Sequence, residues 1–137
     1  MKRVLVDLNV VLDVLLEREP HVHDSAAVWR LLELGLARGL LSAHAITTLH
    51  FIAARARGPA FARRCISDVL SVFEVASVDG PVLLSALALG WTDFEDAVTA
   101  TAAVSASCDA LITRDATGFS QAALPVLSPR SALPLLA

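Results

Sequence analysis

The sequence predicts an α/β fold built on a parallel sheet that helices cover on both faces. Three observations predict it. Short uninterrupted apolar runs, such as Val4-Leu5-Val6 and Ala110-Leu111-Ile112-Thr113, have the pattern of strands buried on both sides. Helical stretches alternate with these runs. The chain of 137 residues is 55% hydrophobic with a net charge of −3, which is too apolar for a disordered protein and enough for one packed core. One domain over residues 1–137 is therefore expected.

The first strand, Val4-Leu5-Val6, ends at Asp7. Asn9 is expected to cap a helix through the apolar stretch Val10–Leu16, with Pro20 beyond it as the break. Asp24 or Ser25 starts a second helix through Val28, Leu31, Leu32 and Leu36, with Gly39 as its stop. Leu40-Leu41 is a short second strand. A third helix is expected over Ala45–Ala56, ended by Gly58-Pro59, and a fourth from about Ala60 to Leu70. Val72–Val78 is expected as strand, turning at Asp79-Gly80-Pro81. Val82–Leu89 is helical up to Gly90, and Thr92 or Asp93 caps another helix that runs through Ser107. Ala110–Thr113 is a buried strand and Val126-Leu127 a last short one. No repeat, linker or low-complexity tract interrupts the series.

Composition excludes several classes. The longest uncharged run, Gly39–Ala54, has 16 residues and includes Ser42, His44, Thr47, Thr48 and His50. A membrane helix needs about 20 mostly apolar residues. Lys2 and Arg3 are followed by Asp7, Asp13 and Glu17, which interrupt the apolar region that a secretory signal requires. Cys65 and Cys108 form neither a disulfide framework nor a CxxC zinc pair and are expected as small core residues. A soluble cytoplasmic protein is the expectation. Lys2 is the only lysine, and the single basic cluster is Arg55, Arg57, Arg63 and Arg64. A mildly acidic chain lacks the basic excess of a general nucleic-acid coat, so any nucleic-acid contact would be local.

In parallel α/β sheets ligands bind beyond the carboxyl ends of the strands, near a switch in strand order. The acids that follow strands are Asp7, Asp79 and Asp115; Asp93, Glu95 and Asp96 open the long late helix. Two unit charges about 4 Å apart repel by roughly 4 kcal/mol at an effective dielectric near 20, so gathered carboxylates need a cation or a shared proton. No lysine stands at a strand end to supply that charge. Oxygen-only ligands suit Mg²⁺ or Mn²⁺ rather than zinc, and such an ion can activate water and stabilise charge on a phosphodiester. Each acid also has a plain structural role open to it. Asp7 can sit in the turn before a helix, Asp93 can be an N-cap, Glu95 and Asp96 can face the helix dipole, and Asp115 can cap the turn Ala116-Thr117-Gly118. Their joint placement is what points to a metal site. Beyond Asp96, Ala97–Ala106 is almost all small residues, which permits close packing on the sheet and leaves space beside Asp96 and Thr99.

These segments resemble the PIN domain, most closely the VapC-type toxin ribonucleases of bacterial toxin–antitoxin pairs. The resemblance rests on Val4-Leu5-Val6-Asp7-Leu8-Asn9-Val10-Val11-Leu12-Asp13, on Asp93-Phe94-Glu95-Asp96-Ala97, and on Leu111-Ile112-Thr113-Arg114-Asp115 through Gly118-Phe119. It implies a three-layer α/β/α sandwich with a central, mostly parallel sheet. It implies Mg²⁺- or Mn²⁺-dependent hydrolysis of RNA phosphodiesters, with Asp7, Asp96 and Asp115 as catalytic metal ligands and Asn9 orienting Asp7 or a water. Asp93, Glu95, Thr47 and Thr113 are supporting candidates. Arg114 would lie at the rim in contact with phosphate. Arg55, Arg57, Arg63 and Arg64 flank Gly58-Pro59 either as a solvated face or as an RNA phosphate track or antitoxin contact, with Arg55 and Arg57 as the RNA-binding candidates. A cognate antitoxin and a homodimer are also implied. The chain departs from the family pattern at one place. A glutamate usually stands early in the helix after the second strand, but here the segment is Ala45-Ile46-Thr47-Thr48-Leu49-His50-Phe51, and no acid occurs between Glu33 and Asp68. Thr47, Thr48 or His50 would then hold a water in its place. The alternative is a PIN-like RNA- or protein-binding module of weak or no activity.

Two other enzyme classes also begin with a strand ending in Asp. A haloacid-dehalogenase-like phosphatase needs a second acid where Asn9 stands, and a receiver domain needs a strand-end lysine. His21 and His23 flank Pro20 with no third ligand nearby. The stretch Val28–Leu36 is apolar on more than one face, through Val28, Trp29, Leu31, Leu32, Leu34 and Leu36. It is expected either at the centre of the core or at a homodimer seam or partner groove.

Overall fold

Side chains alternate between the two faces of a strand, and this alternation divides the molecule into layers. The computed structural model describes residues 1–137. Its elements run β1 (Arg3–Val6), α1 (Leu8–Leu15), α2 (Val22–Glu33), β2 (Arg38–Ser42), α3 (Ala43–Arg57), α4 (Pro59–Val72), β3 (Glu74–Ala76), α5 (Gly80–Ala88), α6 (Phe94–Ser105), β4 (Ala110–Ile112), a 3₁₀ turn (Thr117–Phe119), β5 (Val126–Leu127) and α7 (Pro129–Leu136). The five strands are all parallel, in the order β3-β2-β1-β4-β5. Val4, Val6, Leu41, Ala110 and Ile112 face one core, under α1, α2, α3, α4 and α7. Leu5, Leu40, Ala76 and Leu111 face the other, under α5, α6 and Phe119. The α/β/α sandwich expected from the sequence is thus the fold.

Strand order reverses at β1. The chain leaves β1 towards β2 and β3, then returns across β1 to β4 and β5. The switch lies between β1 and β4, where Val6 pairs with Ile112 and the Asp7 N–H donates to the Ile112 carbonyl at 2.9 Å. Asp7 and Thr113 therefore leave the sheet side by side at the place where α/β proteins bind ligands.

Several boundaries differ from expectation for physical reasons. Asp7, not Asn9, occupies the N-cap position of α1. The second helix stops near Gly35, whose φ of +79° suits a residue without a Cβ. Gly39 does not stop that helix. It lies within β2, where a Cβ would come within 2.6 Å of Leu32 and 3.0 Å of Phe73, so the missing side chain allows close packing of α2 against the sheet. Only Glu74–Ala76 of the expected strand Val72–Val78 pairs in the sheet. The last helix, α7, was not expected. It explains the apolar breadth of Val28–Leu36, because α1 and α7 both pack on α2. Val28 and Leu32 are buried in the core, which overturns the seam or groove reading for Leu32. Leu34 and Leu36 lie past α2 and are exposed. No helix is long and apolar enough to cross a membrane.

Candidate active site

Thr113 organises the switch point. Its side chain is fully buried, and its hydroxyl donates to Asp7 Oδ2 at 2.8 Å while accepting from the Asp115 N–H at 3.0 Å. One side chain thus joins the end of β1 to the loop after β4. Asp7 makes no side-chain cap to α1; its carboxylate turns to Thr113 instead. The Gly118 N–H donates to Asp115 Oδ1 at 3.3 Å, which draws the 3₁₀ turn towards the same carboxylate.

Asp96 arrives from the other side. Asp93 caps α6 by accepting from the Asp96 N–H at 3.0 Å, which fixes the first turn and the position of Asp96 on it. The Oδ2 atoms of Asp96 and Asp115 converge on Gly118. A Cβ there would lie 3.0 Å from the first and 2.9 Å from the second. A cavity of about 270 Å³ opens beside them, bounded by Trp91, Asp93, Asp96, Thr117, Gly118 and Gln121.

The acids feel one another. Burial, then the negative charges of Asp93, Asp7 and Asp115, push the Asp96 carboxyl up to about 7. Burial also raises Asp7, opposed by its hydrogen bond from Thr113. No three His, Cys, Asp or Glu side chains close around one point by themselves. Mg²⁺, however, is usually held by one or two carboxylates, with water in its remaining positions. The converging pair Asp96 and Asp115, with Asp7 joined to Asp115 through Thr113, fits that requirement in donor chemistry and in unbalanced charge.

The fold does not bring every candidate to this site. Asp79 caps α5 by accepting from the Val82 N–H. Asn9 is exposed in the first turn of α1, where its Oδ1 lies 3.5 Å from Arg18 Nη2. Glu95 is exposed, and its carbonyl accepts from the Thr99 hydroxyl. Thr47 and Thr48 both donate to the His44 carbonyl within α3. Arg114 is tied to Asp13, with Nε at 2.7 Å from Oδ2. Arg55 and Arg57 lie near the turn between α3 and α4, over the rings of Phe51 and Phe61. At 1.5 Å per residue, Arg55 is about 16 Å along the helix from His44.

Two residues matter here that the sequence did not single out for the site. His44 stands in the first turn of α3, with Nε2 3.5 Å from the Thr99 hydroxyl and Nδ1 buried without a partner. Burial lowers its pKa, against the nearby charges of Glu95 and Asp7. The strand-end rule, applied to β2 as to β1 and β4, would have found it. Asp13 is completely buried between Arg18 and Arg114. Its signal was an acid within the apolar run Val10–Leu16.

The fold is shared with chains of known structure. A chain of VapBC2 from Rickettsia felis, bound to a promoter DNA fragment, superposes with a TM-score of 0.73 at 12% identity, covering 92% of this chain and 98% of that one. A chain of FitAcB from Neisseria gonorrhoeae gives 0.71 at 21% identity, covering 92% and 97%. VapC20 of Mycobacterium tuberculosis, described as a sarcin-ricin loop cleaving toxin, gives 0.69 at 14% identity, covering 85% and 93%. At such identities the likeness is one of fold. A search of curated protein sequences gives no significant match. The family model of the PIN domain matches residues 3–117, which span both β1 with Asp7 and β4 with Asp115. The chain belongs to the PIN-domain family.

Proposed function

We propose that this chain is a Mg²⁺- or Mn²⁺-dependent endoribonuclease and the toxin of a toxin–antitoxin pair. The observation that carries the proposal is the convergence of Asp96 and Asp115 on Gly118 at the β1–β4 switch point. Asp7, Asp96 and Asp115 would hold the ion. When bound, it would supply Lewis-acid stabilisation of the phosphodiester and a nucleophile at neutral pH. The chain's own residues do the positioning. Thr113 holds Asp7 and the Asp115 loop in one arrangement, Asp93 fixes the start of α6, and Gly118 leaves room for both carboxylates. Asn9 stands two residues beyond Asp7, on the exposed side of α1. The solved chains of this fold include members of toxin–antitoxin complexes, which supports an antitoxin as partner. Leu83, Leu84 and Leu87 on α5 are exposed and apolar, which supports a protein contact such as a homodimer.

A second reading is favoured by the first turn of α3. It carries no acid, and its polar group near the site is His44. A PIN-like module that binds RNA or protein without cleaving it would tolerate this.

Purified protein incubated with a mixed RNA pool in Mg²⁺, Mn²⁺ or EDTA distinguishes the two. Metal-dependent cleavage that disappears in both Asp7→Asn and Asp96→Asn is expected. Equal activity in all three preparations would identify a contaminant, and Mn²⁺ binding without cleavage would favour the binding module.

A further inference from the structure

An acidic chain that handles RNA needs positive charge beside its acids, and few of its basic residues are there. Arg3 and Arg38 begin β1 and β2 at the opposite edge of the sheet and are engaged with Ala106 and Glu74. Arg55, Arg57, Arg63 and Arg64 flank the turn between α3 and α4. Lys2 precedes β1, and Arg30 lies in the last turn of α2 beside Glu33. Arg18, Arg114 and Arg130 remain at the carboxyl edge.

Two of these are held by one buried group. Asp13 is 0% exposed; Arg114 Nε donates to its Oδ2 at 2.7 Å, and Arg18 forms an ion pair with it, Nε lying 2.8 Å from Oδ1. Arg114 is anchored mainly through Nε, with a longer 3.4 Å contact from Nη2 to Oδ1, so its terminal nitrogens retain donors for another acceptor, whereas Arg18 Nη2 already donates to the Asn9 carbonyl at 3.3 Å. Each side chain keeps about a third of its surface exposed, 36% for Arg18 and 33% for Arg114.

Arg114 also lines a cavity of about 260 Å³ between α2 and the start of α7, with His21, Asp24, Ser25, Ser128 and Arg130. Pro129 completes the lining, and no larger apolar side chain reaches it. Ser128 caps α7, so the positive end of that helix faces this region. Ser25 is 1% exposed, and its hydroxyl has no hydrogen-bond partner. Arg130 is 81% exposed and reaches only Asp24, at 3.4 Å. Around Asp13 and the cavity, three guanidiniums face two carboxylates, a surplus of one positive charge. A cavity that brings two guanidiniums to a helix N-terminus, with an unpartnered buried hydroxyl in its wall, matches the charge and oxygens of a phosphate group.

We propose that this cavity binds a backbone phosphate of the RNA, with Arg114 and Arg130 as its cations and Asp13 as the group that orients Arg114. The assignment rests on the ribonuclease reading. It adds that the strand runs from the acids, past Arg114, towards the head of α7.

The test uses the full chain carrying Asp96→Asn, so that the probe stays intact, and a labelled single-stranded RNA of mixed sequence. Anisotropy is read in Mg²⁺ at about 50 and about 200 mM salt. Arg130→Gln should weaken binding about fivefold at the lower salt and reduce the salt slope by about 0.7, as expected for one lost phosphate contact on a single strand. Arg114→Lys, which keeps a cation against Asp13 but loses the planar fork, should also weaken binding. Arg63→Gln should bind like the parent. The exposed Arg130 carries the test even if the Arg114 variant does not fold. Binding unchanged in Arg130→Gln, or lost only in Arg63→Gln, overturns the pocket while leaving RNA as the substrate. No binding by the parent removes the RNA reading and the pocket with it.

Discussion

The Asp96 carboxyl lies at about 7 because burial and three neighbouring acids penalise its charge. Its ordinary value is 3.8, so folding favours the protonated form. The resulting stability is fully present below pH 3.8 and is lost as pH rises towards about 7. In EDTA, Asp96→Asn should therefore melt above the parent at pH 7.5 and show no such gain near pH 4. Mn²⁺ should raise the parent's Tm more at pH 7.5 than at pH 5.5, because the ion competes with that proton. Gly118 offers a second test that leaves the acids in place. Its added Cβ would meet both carboxylates within about 3 Å. Gly118→Ala should abolish metal-dependent cleavage and weaken Mn²⁺ binding, measured by titration calorimetry, while the protein remains folded. The acids were legible in the sequence because strand ends and helix starts are readable positions. The role of Thr113 as the link between Asp7 and Asp115 was less so, since a hydroxyl's partners depend on strand pairing across 106 residues.

At the scale of elements, long-range packing explains what the sequence left out. The strands with full apolar runs, β1 and β4, lie near their expected limits because both are buried on two faces. Gly39 was misplaced as a helix stop because a glycine that admits a packed ring and one that ends a helix look alike without the neighbours. Asp13 shows the same limit. Its two arginines come from the turn after α1 and from the end of β4, so one carboxylate ties three segments together. Removing one partner of a buried ion pair costs more than the pair contributes, because charges are left uncompensated. Asp13→Ala should accordingly lose about 3 kcal/mol in urea unfolding. It should also weaken cleavage beyond any unfolding, because Arg114 adjoins Asp115. Full activity in the fraction that remains folded would make Asp13 a stabilising residue alone.

The whole molecule rests on one sheet with a core on each face, and the chain carries one tryptophan beside each. Trp29 packs edge-on against Phe73 under the first core, with centroids 5.2 Å apart. Trp91 packs against Phe119 under the second, at 6.3 Å. The two layers share every central strand, since adjacent residues such as Val4 and Leu5, or Leu111 and Ile112, face opposite cores. Neither layer can lose its packing without exposing the reverse side of the same strands, and domains of this size usually unfold in one step. Single-tryptophan variants Trp91→Phe and Trp29→Phe should each give one urea transition, with the fluorescence midpoint matching the circular-dichroism midpoint of the same variant. Leu136→Ala, in α7 and 2% exposed, tests the coupling across the sheet. It should cost about 2–4 kcal/mol and shift the Trp91 transition as far as the Trp29 transition, although Leu136 lies in the other core. A shift confined to Trp29 would mean that the face bearing α6, and with it Asp96, holds together independently of the helices opposite.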